Sequence, residues 1–129
     1  MAGTIKIDTI QSELTTPTVF KNSNGTEIGQ LTKAWLNYNA SSLTINRSFN
    51  ISSVTSNSTG DKTITLLNAF SDAYFSVTGS NIGDTQASYA CFICAANQQA
   101  LTSTTARHRV NNYSGSLYDA TTVSICFNR

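Results

Sequence analysis

The chain is written in short alternating runs. No window of about 11 residues keeps a helical period of apolar residues. Val123-Ser124-Ile125-Cys126-Phe127 alternates strictly, and Ile64-Thr65-Leu66 does so after a turn read at Ser56 to Asp61. Other short runs are Trp35-Leu36-Asn37-Tyr38, Leu43-Thr44-Ile45, Phe49-Asn50-Ile51 extended by Val54, and Tyr74-Phe75-Ser76-Val77 ending at Gly79-Ser80-Asn81. Ala87 to Ala96 is almost continuously apolar, as a strand covered on both faces would be. Turn signals recur between these runs every 8–12 residues or so, the spacing of an all-β sandwich or jelly-roll-like module. Asn97 to Asp119 is the least patterned segment and reads as long loops around one strand near Arg107 to Val110.

Composition points the same way. Thr, Ser and Asn number 19, 17 and 13, while charged residues make up only 12% of the chain. Thr, Ile, Val, Phe and Tyr suit pleated surfaces, and hydroxyls and amides keep such a surface wet without charge. A hydrophobic fraction of 40% argues against disorder. A net charge of +1 is too small for the basic surface that nucleic-acid binding needs. No run approaches the ~18 apolar residues of a membrane helix. Met1 to Ile10 lacks the basic start and apolar stretch of an export signal, so no signal peptide is read there and synthesis in a cytoplasm is expected.

The first 32 residues differ from the rest. Ile5 and Ile7 alternate with polar residues, and Val19-Phe20 and Glu27-Ile28 flank a hairpin turn at Asn24-Gly25, read as supplying two residues with φ > 0. Ile5, Ile7, Ile10, Val19, Phe20 and Ile28 are too few to close a core of their own. They are therefore candidate assembly residues, and the chain divides into an attachment or trimerisation segment (1–32) and a β-sandwich module (33–129).

Chemistry-bearing residues are sparse. Cys91 and Cys94 have Cys-x-x-Cys spacing, but on a strand positions i and i+3 face opposite ways, so the cysteines, Cys126 included, read as small core residues with free thiols. No metal or other cofactor is expected. The lone histidine, His108, lies between Arg107 and Arg109; on a strand the arginines share one face and His108 takes the other. That basic pair could contact an anion. Tyr89, Tyr113, Tyr118 and Trp35 could stack on sugars, and Tyr113 and Tyr118, in the polar segment, read as exposed. Arg107, Arg109, Tyr113 and Tyr118 are thus the candidate ligand-binding residues. The seven carboxylates are scattered and no glycosidase pair stands out.

Four strings resemble a pattern of bacteriophage tail-fibre and related virion proteins: Ala34-Trp35-Leu36-Asn37-Tyr38-Asn39; Arg47-Ser48-Phe49-Asn50-Ile51-Ser52-Ser53-Val54; Thr59-Gly60-Asp61-Lys62-Thr63-Ile64-Thr65; and Asn68-Ala69-Phe70-Ser71-Asp72-Ala73-Tyr74. Ile5 to Gln11, the Thr18 to Gly29 region and Val123 to Arg129 resemble the flanking parts of such proteins. The resemblance implies a homotrimer and a place in the virion. The expected function is that of a non-enzymatic tail-fibre or tail-tip protein, docked to other virion proteins through residues 1–32 and touching host glycan through Asn97 to Asp119. The alternatives are a capsid decoration protein and, from a different class, a hydrolase of host polysaccharide.

Overall fold

The computed structural model describes residues 19–30, 32–82, 92–95, 101–112 and 114–128. The chain divides into two units, Met1–Leu31 and Thr32–Arg129. In the first, the described residues form an antiparallel hairpin of β1 (Val19–Lys21) and β2 (Glu27–Gln30). Its turn is not the two-residue type expected from Asn24-Gly25, because only Gly25 has positive φ, at 77°. Asn22 bends the chain instead. Its carbonyl accepts the Gly25 N–H (3.0 Å) and its own N–H donates to Thr26 O (2.9 Å). Its Oδ1 accepts the N–H groups of Asn24 and Thr26. A side-chain acceptor two to four residues back does the work that a second left-handed residue would have done. Ile5, Ile7 and Ile10 lie outside the described residues.

The described residues of the second unit form a sandwich of two four-stranded antiparallel sheets. One has the order β4-β3-β10-β7, from Ile45–Phe49, Ala34–Tyr38, Thr122–Asn128 and Ser76–Ile82. The other has the order β5-β6-β9-β8, from Ile51–Ser58, Asp61–Leu66, Thr105–Asn111 and Phe92–Ala95. The period-2 pattern explains which face is buried. Ala34, Leu36 and Tyr38 on β3 stand opposite Phe127, Ile125 and Val123 on β10, and these inner positions are buried. Ile64 and Leu66 on β6 and Ala106 and Val110 on β9 complete the core from the other sheet. Phe75 bridges Phe70 and Phe127 in edge-on ring contacts, at centroid separations of 4.9 and 5.9 Å.

Several sequence boundaries move. Phe49-Asn50-Ile51, read as one strand, is the crossover between the sheets. Asn50 has φ 57°, and its side chain holds the corner by donating to the Lys33 and Asn68 carbonyls and accepting from the Asn68 backbone and side chain. Asn tolerates the left-handed region better than other side chains, which is why the break falls there. Leu43, read as strand, has φ 60° and belongs to the turn capped by Asn39, whose Oδ1 accepts the Ser41 and Ser42 N–H groups. The turn read at Ser56 to Asp61 shrinks to Thr59-Gly60, and β7 begins at Ser76 and runs through Gly79 to Ile82. Of the apolar run Ala87 to Ala96, Phe92–Ala95 is strand β8, and Cys91 lies outside the described residues. Cys126 is not a core residue. It occupies an outward position of β10 beside Trp35 and is an exposed free thiol, because the alternation that buries Ile125 and Phe127 turns it outward.

The two ends of the sandwich carry different parts of the chain. Thr32, Lys33, the Asn50 corner, residues 101–104 and the end of β10 share one end, tied by Lys33 N–H to Phe127 O and Phe70 N–H to Ser103 O. The Asn39–Thr44 turn, the Thr59-Gly60 turn and the 112–121 loop share the other, tied by Ala40 N–H to Ala120 O and Tyr118 N–H to Val110 O. At ~3.3 Å per residue, the seven residues of β9 or β10 separate the ends by about 20 Å.

Candidate functional site

The chemistry-bearing side chains gather where β6 and β9 pair. The register sets Asp61 beside Arg109 and Lys62 beside His108. Alternation then sends Arg107 and Arg109 to the outer face of the sheet and His108 inward, as the sequence predicts. On the outer face Arg107 grips Asp61 with two bonds, Nε to Oδ1 at 2.7 Å and Nη2 to Oδ2 at 2.9 Å. Arg109 Nε donates to Oδ2 at 2.8 Å, and Asn57 Nδ2 donates to Oδ1 at 3.0 Å. The Arg107 hydrogen bonds, helped by those from Arg109 and Asn57, hold the Asp61 carboxyl well below the usual carboxylate range against the opposing effect of its burial. Asp61 is therefore fixed as an anion and cannot serve as a general acid near neutral pH. Two guanidinium groups thus converge on one carboxylate.

The inner side is a buried polar row. Lys62, whose side chain is only 2% exposed, donates to Asp119 Oδ1 (2.7 Å), Ser58 O (2.9 Å) and Ser56 Oγ (3.0 Å). The ammonium spends its three N–H donors on three oxygens, as burial of a charge requires. Asp119 Oδ1 also accepts the Gly60 N–H at 2.6 Å. Tyr38 Oη and His108 Nε2 are 2.8 Å apart with their rings edge-on. Burial, reinforced by the Asp119 charge, pushes the Tyr38 phenol above its ordinary value. His108 Nδ1 is buried without a hydrogen-bond partner among the described residues, and neither neutral tautomer satisfies it. Among the described residues no three His, Cys, Asp or Glu side chains form a group able to hold a metal ion.

A pH dependence follows. Burial lowers His108 from 6.5 to about 4, against the attraction of Asp61 and with the repulsion of Lys62. The unfolded chain then binds more protons between those values, so stability is full above about pH 6.5 and falls as pH drops toward 4. Linkage puts the loss on the order of 3 kcal/mol. Below that window, protonation of Asp61 removes more, because its folded value is depressed too. Urea unfolding from pH 7 to 4 should show this slope, and His108→Leu should flatten the part above pH 4.

The two arginines among the predicted ligand-binding residues come together. Arg107 and Arg109 meet on Asp61. Tyr118 is half-buried against the core, not exposed as its polar neighbours suggested, and its backbone lies over Gly60. Tyr113 lies outside the described residues. The 112–116 turn repeats the hairpin device: Asn112 Oδ1 accepts the Ser114 and Ser116 N–H groups, Asn112 O accepts the Gly115 N–H, and Gly115 has φ 82°. The shared Asn-x-x-Gly spacing was legible in the sequence, whereas the partnership of Asp61 with both arginines was not.

Comparison with known proteins gives one structural likeness. No family model matches the chain, and a search of curated proteins returned no significant match. A solved tailspike, that of phiAB6 in complex with three-repeated oligosaccharides of Acinetobacter baumannii surface polysaccharide, superposes with a TM-score of 0.51 at 15% identity. The alignment covers 97% of this chain but only 30% of the tailspike chain. At that identity the likeness is one of fold.

Proposed function

We propose that this protein is a structural, non-enzymatic component of a bacteriophage virion, a tail-fibre or tail-tip protein that touches the host surface. The observation that carries the reading is a fold shared with a phage tailspike solved with oligosaccharides of a bacterial surface polysaccharide, together with the tail-fibre-like strings between β3 and β7. Residues 1–32 serve as the attachment and trimerisation segment. On the hairpin Phe20 and Ile28 are 44% and 67% exposed, apolar surface suited to burial against sister chains or other virion proteins. The β1–β2 hairpin, with three- and four-residue strands, is too small to be stable alone. Ile5, Ile7, Ile10 and Val19 add to that assembly surface. Arg107, Arg109, Tyr113 and Tyr118 supply the host-glycan contact, the arginines from the outer face of the β5-β6-β9-β8 sheet.

Immunogold labelling of virions with antibody to residues 33–129 should place gold on the tail, and the purified chain should compete with phage adsorption. Gold over the head would overturn the reading in favour of capsid decoration. Light scattering should return three times the 13.9 kDa chain mass; a monomer removes the trimer.

A further inference from the structure

The outer face of the β4-β3-β10-β7 sheet carries a feature that the arginine pair does not. Register sets Phe49 on β4 directly beside Trp35 on β3, and Arg47 beside Asn37 one step further along the same face. Phe49 is 54% exposed and Trp35 37%. Such an aromatic pair on open sheet surface leaves apolar area in water that a ligand can cover. A β-bulge at Asn37/Tyr38 sets both Asn46 and Arg47 against Asn37. Bulges of this kind re-aim side chains. Asn46 Nδ2 donates to Asn37 Oδ1 at 2.8 Å, and Asn37 Nδ2 donates to Ser124 Oγ at 2.7 Å. This ladder crosses three strands, and each amide nitrogen carries a second N–H. Arg47 makes no salt bridge among the described residues, in contrast to Arg107 and Arg109.

We propose that this face is a binding platform for an acidic oligosaccharide. The aromatic pair packs against the apolar face of a sugar ring. The amide and hydroxyl ladder bonds its hydroxyls, and Arg47 pairs with a uronic or sialic carboxylate. The choice of occupant rests on charge complementarity: the exposed cation beside the aromatics has no anionic partner among the described residues. The proposal rests on the host-glycan reading and deepens it, adding a second sugar contact on a face not assigned before.

Trp35 is the only tryptophan in the chain, so its fluorescence reports on this face directly. The intact protein is titrated with trigalacturonate, triguluronate and sialyllactose, and with neutral maltotriose. At least one acidic probe should shift the emission saturably and more weakly at higher salt. Arg47→Gln should weaken that binding about tenfold or more, the size of a charged hydrogen bond. Phe49→Ala should weaken it several-fold, and Thr55→Ala on the other sheet's outer face should not. Both weakening variants sit on an edge strand outside the core, and unchanged urea midpoints verify their folding. Silence across the acidic probes, an equal response to maltotriose, or binding retained by both variants overturns the platform. So does an emission shift with protein concentration alone alongside rising mass, which would mean that a second copy covers the face. The titration uses purified chain, so its failure stands apart from a failure of the virion reading, which immunogold and adsorption decide.

Discussion

Asp119→Ala is expected to destabilise the sandwich by about 3–5 kcal/mol, the usual cost of removing one partner of a buried ion pair. The reason is Lys62. Its ammonium is enclosed between β5, β6 and the 112–121 loop, and among the described residues Asp119 is its one anionic partner. Truncation leaves the charge in the interior with two neutral oxygens, and it strips the Gly60 N–H of its acceptor. For a chain of 129 residues this corresponds to a fall in Tm of roughly 10–20 °C. Asp119→Asn keeps an acceptor at Oδ1 and should lose less. Lys62→Met combined with Asp119→Ala should recover much of the loss, because the stranded charge is gone. A double-mutant cycle in urea reads the coupling directly. If Asp119→Ala costs under about 1 kcal/mol, the pair is solvated and the buried-charge account is wrong.

Gly60→Ala should be nearly as damaging, for a different reason. Gly60 has φ 64°, and a Cβ there would lie 2.5 Å from Tyr118 N and 2.7 Å from Val110 O. Those are backbone atoms of the strand-and-loop pair that closes the far end, so they cannot swing aside as a flexible side chain would. Left-handed strain of about 1–2 kcal/mol adds to an overpacking cost of about 1–3 kcal/mol, giving roughly 2–5 kcal/mol in total. Gly25 and Gly115 are the controls, with positive φ and no atom within 4 Å of a built Cβ. Alanine at either should cost only the strain, about 1–2 kcal/mol. Chemical denaturation of the three variants separates the steric from the conformational share. Equal losses at all three would show that the far end yields to the added methyl group.

The fold was largely legible because the core obeys a period of two. Val123, Ile125 and Phe127 announce a strand with one buried face, and Ile64 and Leu66 another. What escaped the sequence reading is where the chain leaves one sheet for the other. Asn50 sits between two apolar residues and looks like strand interior; only its left-handed φ and four side-chain hydrogen bonds make it a corner. The candidate site was legible only in part for a similar reason. Alternation sends Arg107 and Arg109 to one side and His108 to the other, and no further information is needed. That Asp61 joins both arginines depends on β6 and β9 pairing in one register across the 67–104 stretch, and no local pattern encodes it. Cys126 was misassigned because an apolar neighbourhood along the chain does not show which face of the pleat a residue occupies. Arg47 and Phe49 stayed unremarked because their significance lies in the strand beside them.

Thr32 and Asn128 are joined by a side-chain hydrogen bond, so the sandwich begins and finishes at one point of its surface. A body of that kind is a pendant. It could be spliced into an exposed bend of an unrelated protein without spreading the two strands of the bend, and neither partner would need to refold. The same closure makes the connectivity permutable: a short bridge between those two residues, with new termini cut at Ser114-Gly115, leaves every strand pairing in place. Modules of this shape travel between proteins with little penalty, because what they ask of a host is two neighbouring attachment points and nothing of its interior.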